Sequence, residues 1–195
     1  MTNQTPFRSA FLAAAIALGG VAMVGCTTTP PGSEPAPRMD RTSMDSQVDA
    51  TLSRLYSTVP GSREMVQKAA GVLVFPAVIG GSFVVGAEYG RGALKVGGRT
   101  TDYYSTTAGS VGFQAGGQSK AIIYVFNTTD ALNKFRASNG WSAGADATVT
   151  MGKVGANGSV DTQTIQQPVT SFVLTNVGLE VGVSVQGAKI NKITL

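Results

Sequence analysis

The chain has 195 residues, a formal net charge of +4, and 25 glycines, with 43% apolar and only 13% charged residues. It contains no histidine and one cysteine, which excludes imidazole-based triads, zinc sites built on histidine or several thiolates, and an internal disulfide. The mild charge is spread without a long basic block, which argues against nucleic acid as a partner; no cofactor and no metal are expected.

Residues 1–25 read as a signal segment. Arg8 supplies the positive start and Ala10 to Met23 the apolar stretch, which is short of the roughly 20 residues a membrane span needs. Met23-Val24-Gly25-Cys26 resembles a bacterial lipobox. That resemblance implies cleavage before Cys26, a diacylglycerol thioether on its sulfur and an acylated amine. Each buried methylene contributes about 0.8 kcal/mol, so several chains anchor firmly. Thr27 stands where lipoproteins kept at the inner membrane carry Asp. The expected location is the outer membrane of a Gram-negative bacterium, facing the periplasm. Thr27 to Arg41 is rich in Pro, Thr and Ser and cannot build a core. Residues 26–45 therefore read as lipidated cysteine and disordered tether, and residues 46–195 as the folded domain.

Ser46 to Tyr56 has helical periodicity, with Val48, Leu52, Leu55 and Tyr56 on one face and a capping-box spacing at Ser46 and Asp49. A second helix, capped by Ser62, runs to Ala70 with Met65, Val66 and Ala69 inward and Gly71 as its C-cap. The pattern then becomes β. Val72 to Phe75 is a buried strand stopping at Pro76. Phe83, Val85, Ala87 and Tyr89 alternate with Val84, Gly86 and Glu88. Gly90-Arg91-Gly92 reads as a turn into Ala93 to Val96. Thr101 to Thr106 and Ser110 to Gly116 are further strands, and Ala121 to Phe126 is a continuous apolar one, hence central. Thr128 caps a helix to Ser138 with Ala131, Leu132 and Phe135 inward. Ala145 to Met151 alternates. Lys153 to Gln163 is polar, with turn signals at Gly155 and Asn157-Gly158. Thr170 to Thr175, Leu179 to Val185 and Lys189 to Leu195 are strands, the last anchored by Ile190 and Ile193. The expected fold is α+β: mainly an antiparallel sheet or partial barrel, with two N-terminal helices and one inserted helix.

Glycine recurs on one face of three stretches, at Gly86 and Gly90, at Gly112 and Gly116, and at Gly182. Two readings follow: a helix or sharp curvature brings something close, or a shallow ligand groove runs there. No nucleotide-binding glycine pattern is complete, and no carboxylate pair stands out for acid/base work, so no catalytic residue is assigned. Arg54, Arg63 and Lys68 decorate the helix pair as headgroup candidates. Arg91, Lys95 and Arg99 form a rival set on the hairpin.

Gly71-Val-Leu-Val-Phe-Pro76, Phe83-Val-Val-Gly86, Tyr89-Gly-Arg-Gly-Ala-Leu94, Tyr103-Tyr104, the stretch Gly109 to Gln118, Ala131-Leu132-Asn-Lys-Phe135, and Gly178-Leu-Glu-Val-Gly182 with Lys189-Ile190 resemble, in that order, the SYLF-domain family, most of all its bacterial lipoprotein branch. The resemblance spans about residues 46–194. It implies a non-catalytic domain that binds lipid, with the helical region at residues 46–70 as the contact, and membrane lipids, including anionic phospholipids, as partners. Ala70 departs from the lysine that often precedes the glycine. A structural or adaptor domain binding another envelope protein is the competing reading.

Overall fold

The order of elements follows the switch from helical to strand periodicity. The structure, a computed structural model, describes residues 40–82, 85–111, 118–155, 159–180 and 184–195. The signal segment, Cys26 and most of the tether lie outside these residues. So do Phe83, Val84, Gly112, Gly116, Asn157, Gly158 and Gly182.

Helix α1 (Arg41–Thr58) begins five residues before the expected Ser46, because Asp40 is its N-cap and accepts a hydrogen bond from the Ser43 amide at 2.7 Å. Ser46 does not cap; its hydroxyl donates back to the Thr42 carbonyl at 2.9 Å. Helix α2 (Ser62–Lys68) is capped by Gly61 and ends at Ala69, so Ser62 is its first residue and Gly71 opens a strand. The strands are β1 (Gly71–Ser82), β2 (Val85–Val96), β3 (Arg99–Val111), β4 (Gln118–Phe126), β5 (Trp141–Ser142), β6 (Val149–Met151), β7 (Val169–Thr175), β8 (Gly178–Leu179) and β9 (Lys189–Ile193). Helix α3 (Thr129–Ala137) starts where the sequence placed it, with the Thr128 hydroxyl accepting from the Ala131 amide at 3.2 Å. A short helix α4 (Thr162–Ile165), capped by Asp161, was not anticipated. Its polar run has no apolar period to announce it.

The sheet order is β5-β9-β3-β2-β1-β4-β7-β6, with β8 beside β7. All pairings are antiparallel except β6 with β7. β5 and β6, at opposite ends of this order, are joined by a short connection. Ala143 N donates to the Ala188 carbonyl and Gly144 N to the Ala147 carbonyl, both at 2.9 Å. The sheet is therefore curled into a half-barrel. Of the alternating run from Ala145, only Val149–Met151 is strand; the rest forms this connection. Of Leu179 to Val185, strand structure among the described residues ends at Leu179.

Both sheet faces are covered. Val72, Val74, Ala93, Ile123 and Val125 pack with Val48, Leu52, Leu55 and Met65 of the helix pair. Leu73, Phe75, Leu94, Tyr124 and Phe126 pack with Leu132 and Phe135 of α3 and with Trp141. Ring centroids there lie 4.8 Å apart for Phe126 and Phe135, and 5.5 Å for Phe135 and Trp141. β4 is buried on both sides, as its continuous apolar run requires.

β1 does not stop at Pro76. One extra residue between Val74 and Ala77, relative to β2, and between Phe75 and Val78, relative to β4, makes a bulge there. Pro76 lacks an N–H, and a bulge leaves that ladder position free. Nor does Gly90-Arg91-Gly92 turn: it lies inside β2, against the bulge. A Cβ on Gly92 would sit 2.0 Å from the Val74 carbonyl oxygen, and one on Gly90 2.8 Å from Val78 Cγ2. The actual turn is Gly97-Gly98, with φ of 57° and 80°. The glycine face near Gly90 thus meets the curving neighbour strand rather than a helix.

Gly92→Ala is expected to destabilise the protein by about 1–3 kcal/mol through overpacking. Gly109→Ala, where a Cβ meets nothing within 4 Å, should change stability by no more than about 0.5 kcal/mol. Urea unfolding midpoints of the two variants check this contrast; equal midpoints would rule out the close approach as its cause.

Candidate functional site

Helix α1 lies across β1 and β2 and is fixed by polar contacts along its length. Near its start, Asp45 Oδ1 accepts hydrogen bonds from the Thr100 hydroxyl at 3.0 Å and the Tyr103 phenol at 3.2 Å. Burial raises the Tyr103 phenol pKa, and the Asp45 charge and hydrogen bond raise it further. One turn on, Asp49 pairs with the Lys95 ammonium. Toward the end, the Arg54 guanidinium donates to the Leu174 carbonyl at 3.2 Å. The buried Ser62 hydroxyl donates to the Leu55 carbonyl at 3.2 Å and staples α2 to α1.

These contacts leave a cleft of about 460 Å³ between the two helices, the start of β1 and the β2–β3 turn. This is within the roughly 300–1,000 Å³ of small-molecule sites. Leu52, Tyr56, Val66, Ala69 and Val72 make its apolar walls. Lys95 and Asp49 line it with charge, and the bare turn Gly97-Gly98 closes one end. The Lys95 side chain is only 13% exposed, so its charge works in a setting that screens it less than open water.

The structure separates the candidate cations differently from their order in the sequence. Arg63 lies 4.5 Å over the ring of Tyr56, a wall of the cleft. Burial raises the Tyr56 phenol pKa, the Arg63 charge opposes this, and Asp49 adds to it. Lys68 is exposed, between the lining residues Gln67 and Ala69. Lys95 comes from the rival hairpin set and lines the same cleft. Arg99 is exposed, and as the cross-strand partner of Val96, which packs with the α3-side core, it lies on the other face of the sheet. Arg54 is elsewhere, tied to β7 on the other flank of α1. Arg91 shares the face of Lys95 but is four residues away along β2, roughly 13 Å at the strand rise. Each of the two predicted sets is therefore split, and Lys95, which lines the cleft, and Arg63, over its Tyr56 wall, are the two candidates brought together there.

Two residues missed as site elements are Asp49 and Tyr56. Asp49 looked like a cap partner and Tyr56 like core. Their roles depend on β2 and α2, which no local pattern links to them.

The arrangement suits an apolar group beside an anionic one. No group of three or more potential metal-binding side chains occurs among the described residues. Glu88 and Lys120 pair at 2.9 Å on the inner face of the half-barrel. Nearby Tyr124 is fully buried with no partner for its hydroxyl among the described residues. Burial and the Glu88 charge push its phenol upward, so it stays neutral.

The cleft should take up the apolar anionic dye anilinonaphthalenesulfonate. Ala69→Phe, which fills it, should cut bound-dye fluorescence several-fold, while Arg54→Gln should not. Unchanged fluorescence in Ala69→Phe would show that the dye sits elsewhere.

Residues 107–193 match the family model Ysc84, described as Las17-binding protein actin regulator. No curated protein matches the chain. The family match runs from the second half of β3 through β9 and does not reach the helix pair. Over residues 107–193, the chain carries a domain of the Ysc84/SYLF family.

Proposed function

We propose that the chain is a non-catalytic outer-membrane lipoprotein, held by acylated Cys26 after removal of residues 1–25, whose folded domain binds membrane lipid from the periplasmic side. The observation that carries the lipid reading is the apolar cleft lined by Lys95, with Arg63 stacked over its Tyr56 wall. An anionic phospholipid offers both parts that such a site needs. Each basic side chain near an anionic surface contributes on the order of 1 kcal/mol, screened beyond about 8 Å at physiological salt. Attachment through the anchor would raise the local concentration of lipid at the cleft.

Co-sedimentation with vesicles tests this reading. The protein should bind anionic vesicles, release them as salt rises, and lose about tenfold or more of its affinity when Arg63, Lys68 and Lys95 all become Gln. Changing Arg54 and Arg91 to Gln should cost much less. Equal binding to neutral and anionic vesicles would remove the electrostatic part. For the anchor, Cys26→Ser should abolish flotation of the protein with membranes; retained flotation and processed mass would disprove lipidation.

A second reading has its own support. The family description names a protein partner, Las17, and actin. Ile79 and Tyr89, 63% and 51% exposed, are direct cross-strand neighbours on the sheet. On the adaptor reading, this domain binds another envelope protein and no vesicle of either kind.

A further inference from the structure

On the opposite face of the sheet, where α3 ends and β9 passes β3, lies a cavity of about 270 Å³. Its side chains are Tyr104, Arg136, Ser138, Asn139, Asn191 and Lys192. All are polar, and none comes from the cleft under the helix pair.

Asp102 organises the charge here. Its side chain is only 12% exposed, and it pairs with Lys192 through Oδ1. Its Oδ2 is buried with no hydrogen-bond partner among the described residues; the Arg136 guanidinium is nearest, at 3.8 Å. Two cations therefore share one carboxylate while their side chains remain 46% and 65% exposed. Asn191 Oδ1 would be 3.0 Å from a Cβ placed on Gly140, which lines the same cavity. The other charged pair on α3, Lys134 with Asp130 at 2.9 Å, is self-contained.

The neutral groups are donors as well. Asn139 and Asn191 carry amide N–H groups. Burial pushes the Tyr104 phenol up to about 12, helped by the Asp102 charge and opposed by Arg136, so it keeps its proton at neutral pH. Burial pushes the Asp102 carboxyl up, but the hydrogen bonds of Lys192 and Thr101 and the nearby positive charges hold it below the usual range. It stays ionised and keeps the two cations side by side.

We infer that this pocket binds a phosphate-type oxyanion, a phosphoryl group either free in solution or carried by a lipid headgroup, with Arg136 and Lys192 as its charged donors. A guanidinium presents parallel N–H groups that match two oxygens of a phosphate, and an ammonium adds a point charge. The cavity is smaller and more polar than the cleft, so it suits a headgroup rather than a chain. The anion must compete with Asp102 for both cations, which sets a moderate affinity. The inference does not depend on the cleft: different residues on the other face of the sheet carry it.

The test is a titration of the full chain with sodium phosphate at constant ionic strength, against sodium chloride, followed by amide chemical shifts. Saturable shifts at Asn139, Gly140, Asn191 and Lys192 are expected with phosphate only. Arg136→Gln with Lys192→Gln should weaken the binding by about tenfold or more. Lys68→Gln, on the other face, should leave it unchanged. Asp102→Asn removes the competing charge and should tighten it, an effect that misfolding cannot imitate. Equal shifts with chloride, or parental affinity in the double variant, would overturn the site. Vesicles of phosphatidic acid and of phosphatidylcholine identify the source. Loss of phosphatidic acid binding in the double variant assigns a lipid headgroup. Loss of phosphate binding alone, with vesicle binding intact, assigns soluble phosphate.

Discussion

The bulge at Pro76 is the constraint on which the rest of the structure depends. β1 pairs with β2 on one side and β4 on the other, and the extra residue is counted against both neighbours. Before it, Val72 and Val74 face the helix pair while Leu73 and Phe75 face α3. After it the parity changes. Val78 takes the α3 side and Ile79 is left outward. A regular strand would have sent Val78 the other way. The bulge also bends the strand, and β2 can follow only because Gly92 has no side chain to strike the Val74 carbonyl. The local curvature and the exposed Ile79–Tyr89 pair follow from this one irregularity.

The cleft is a consequence of how α1 is held. Asp45 and Asp49 fix it to β3 and β2 from one flank, and Arg54 fixes it to β7 from the other. The apolar residues Met44, Val48, Leu52 and Leu55 between these flanks are buried against the sheet. α2 is only seven residues long and is marginal alone, so it relies on Ser62, Met65 and Val66 for its position. It cannot cover the sheet as far as the Gly97-Gly98 turn, and the space left over is the cleft. Its walls are apolar because they are the uncovered margin of a core. Its charge comes from residues that the hairpin and the helices each needed at their surfaces.

Local signals proved legible and long-range ones did not. Helix α3 was readable from Thr128 to its inward Ala131, Leu132 and Phe135, because cap and period agree within nine residues. The central place of Ala121 to Phe126 was readable from its unbroken apolar run. Pro76 and Gly90 to Gly92 were misread for one reason: proline and glycine are the usual marks of turns. Here they serve a bulge and a close approach between strands that only the pairing register reveals. Ser46 and Asp49 have the spacing of a capping box, yet Asp40 lies earlier and caps the longer helix. The candidate basic residues were sorted by their place in the chain, and Arg136 and Lys192 were not among them. Lys95 shares a cleft with Tyr56, the ring under Arg63, because β2 passes under α1, a fact of tertiary packing.

Near the β2–β3 turn the sheet carries charge on both of its faces, and strand geometry explains why. Leu94 pairs with Asp102, and the next pairing is Lys95 with Thr100, so β3 holds one extra residue there. Lys95 points toward α1 and pairs with Asp49. Asp102, on the neighbouring strand, points to the other face and gathers Lys192 and Arg136. Alternation across a strand sends adjacent side chains to opposite faces, so charged residues placed close together at this end serve two different surfaces. Neither face could cover such residues with its own apolar layer, since α2 stops short on one side and α3 ends at Ala137 on the other. Both cavities therefore open where the helical layers run out: the cleft keeps apolar walls beside Lys95 and Asp49, and the second cavity is lined by polar side chains.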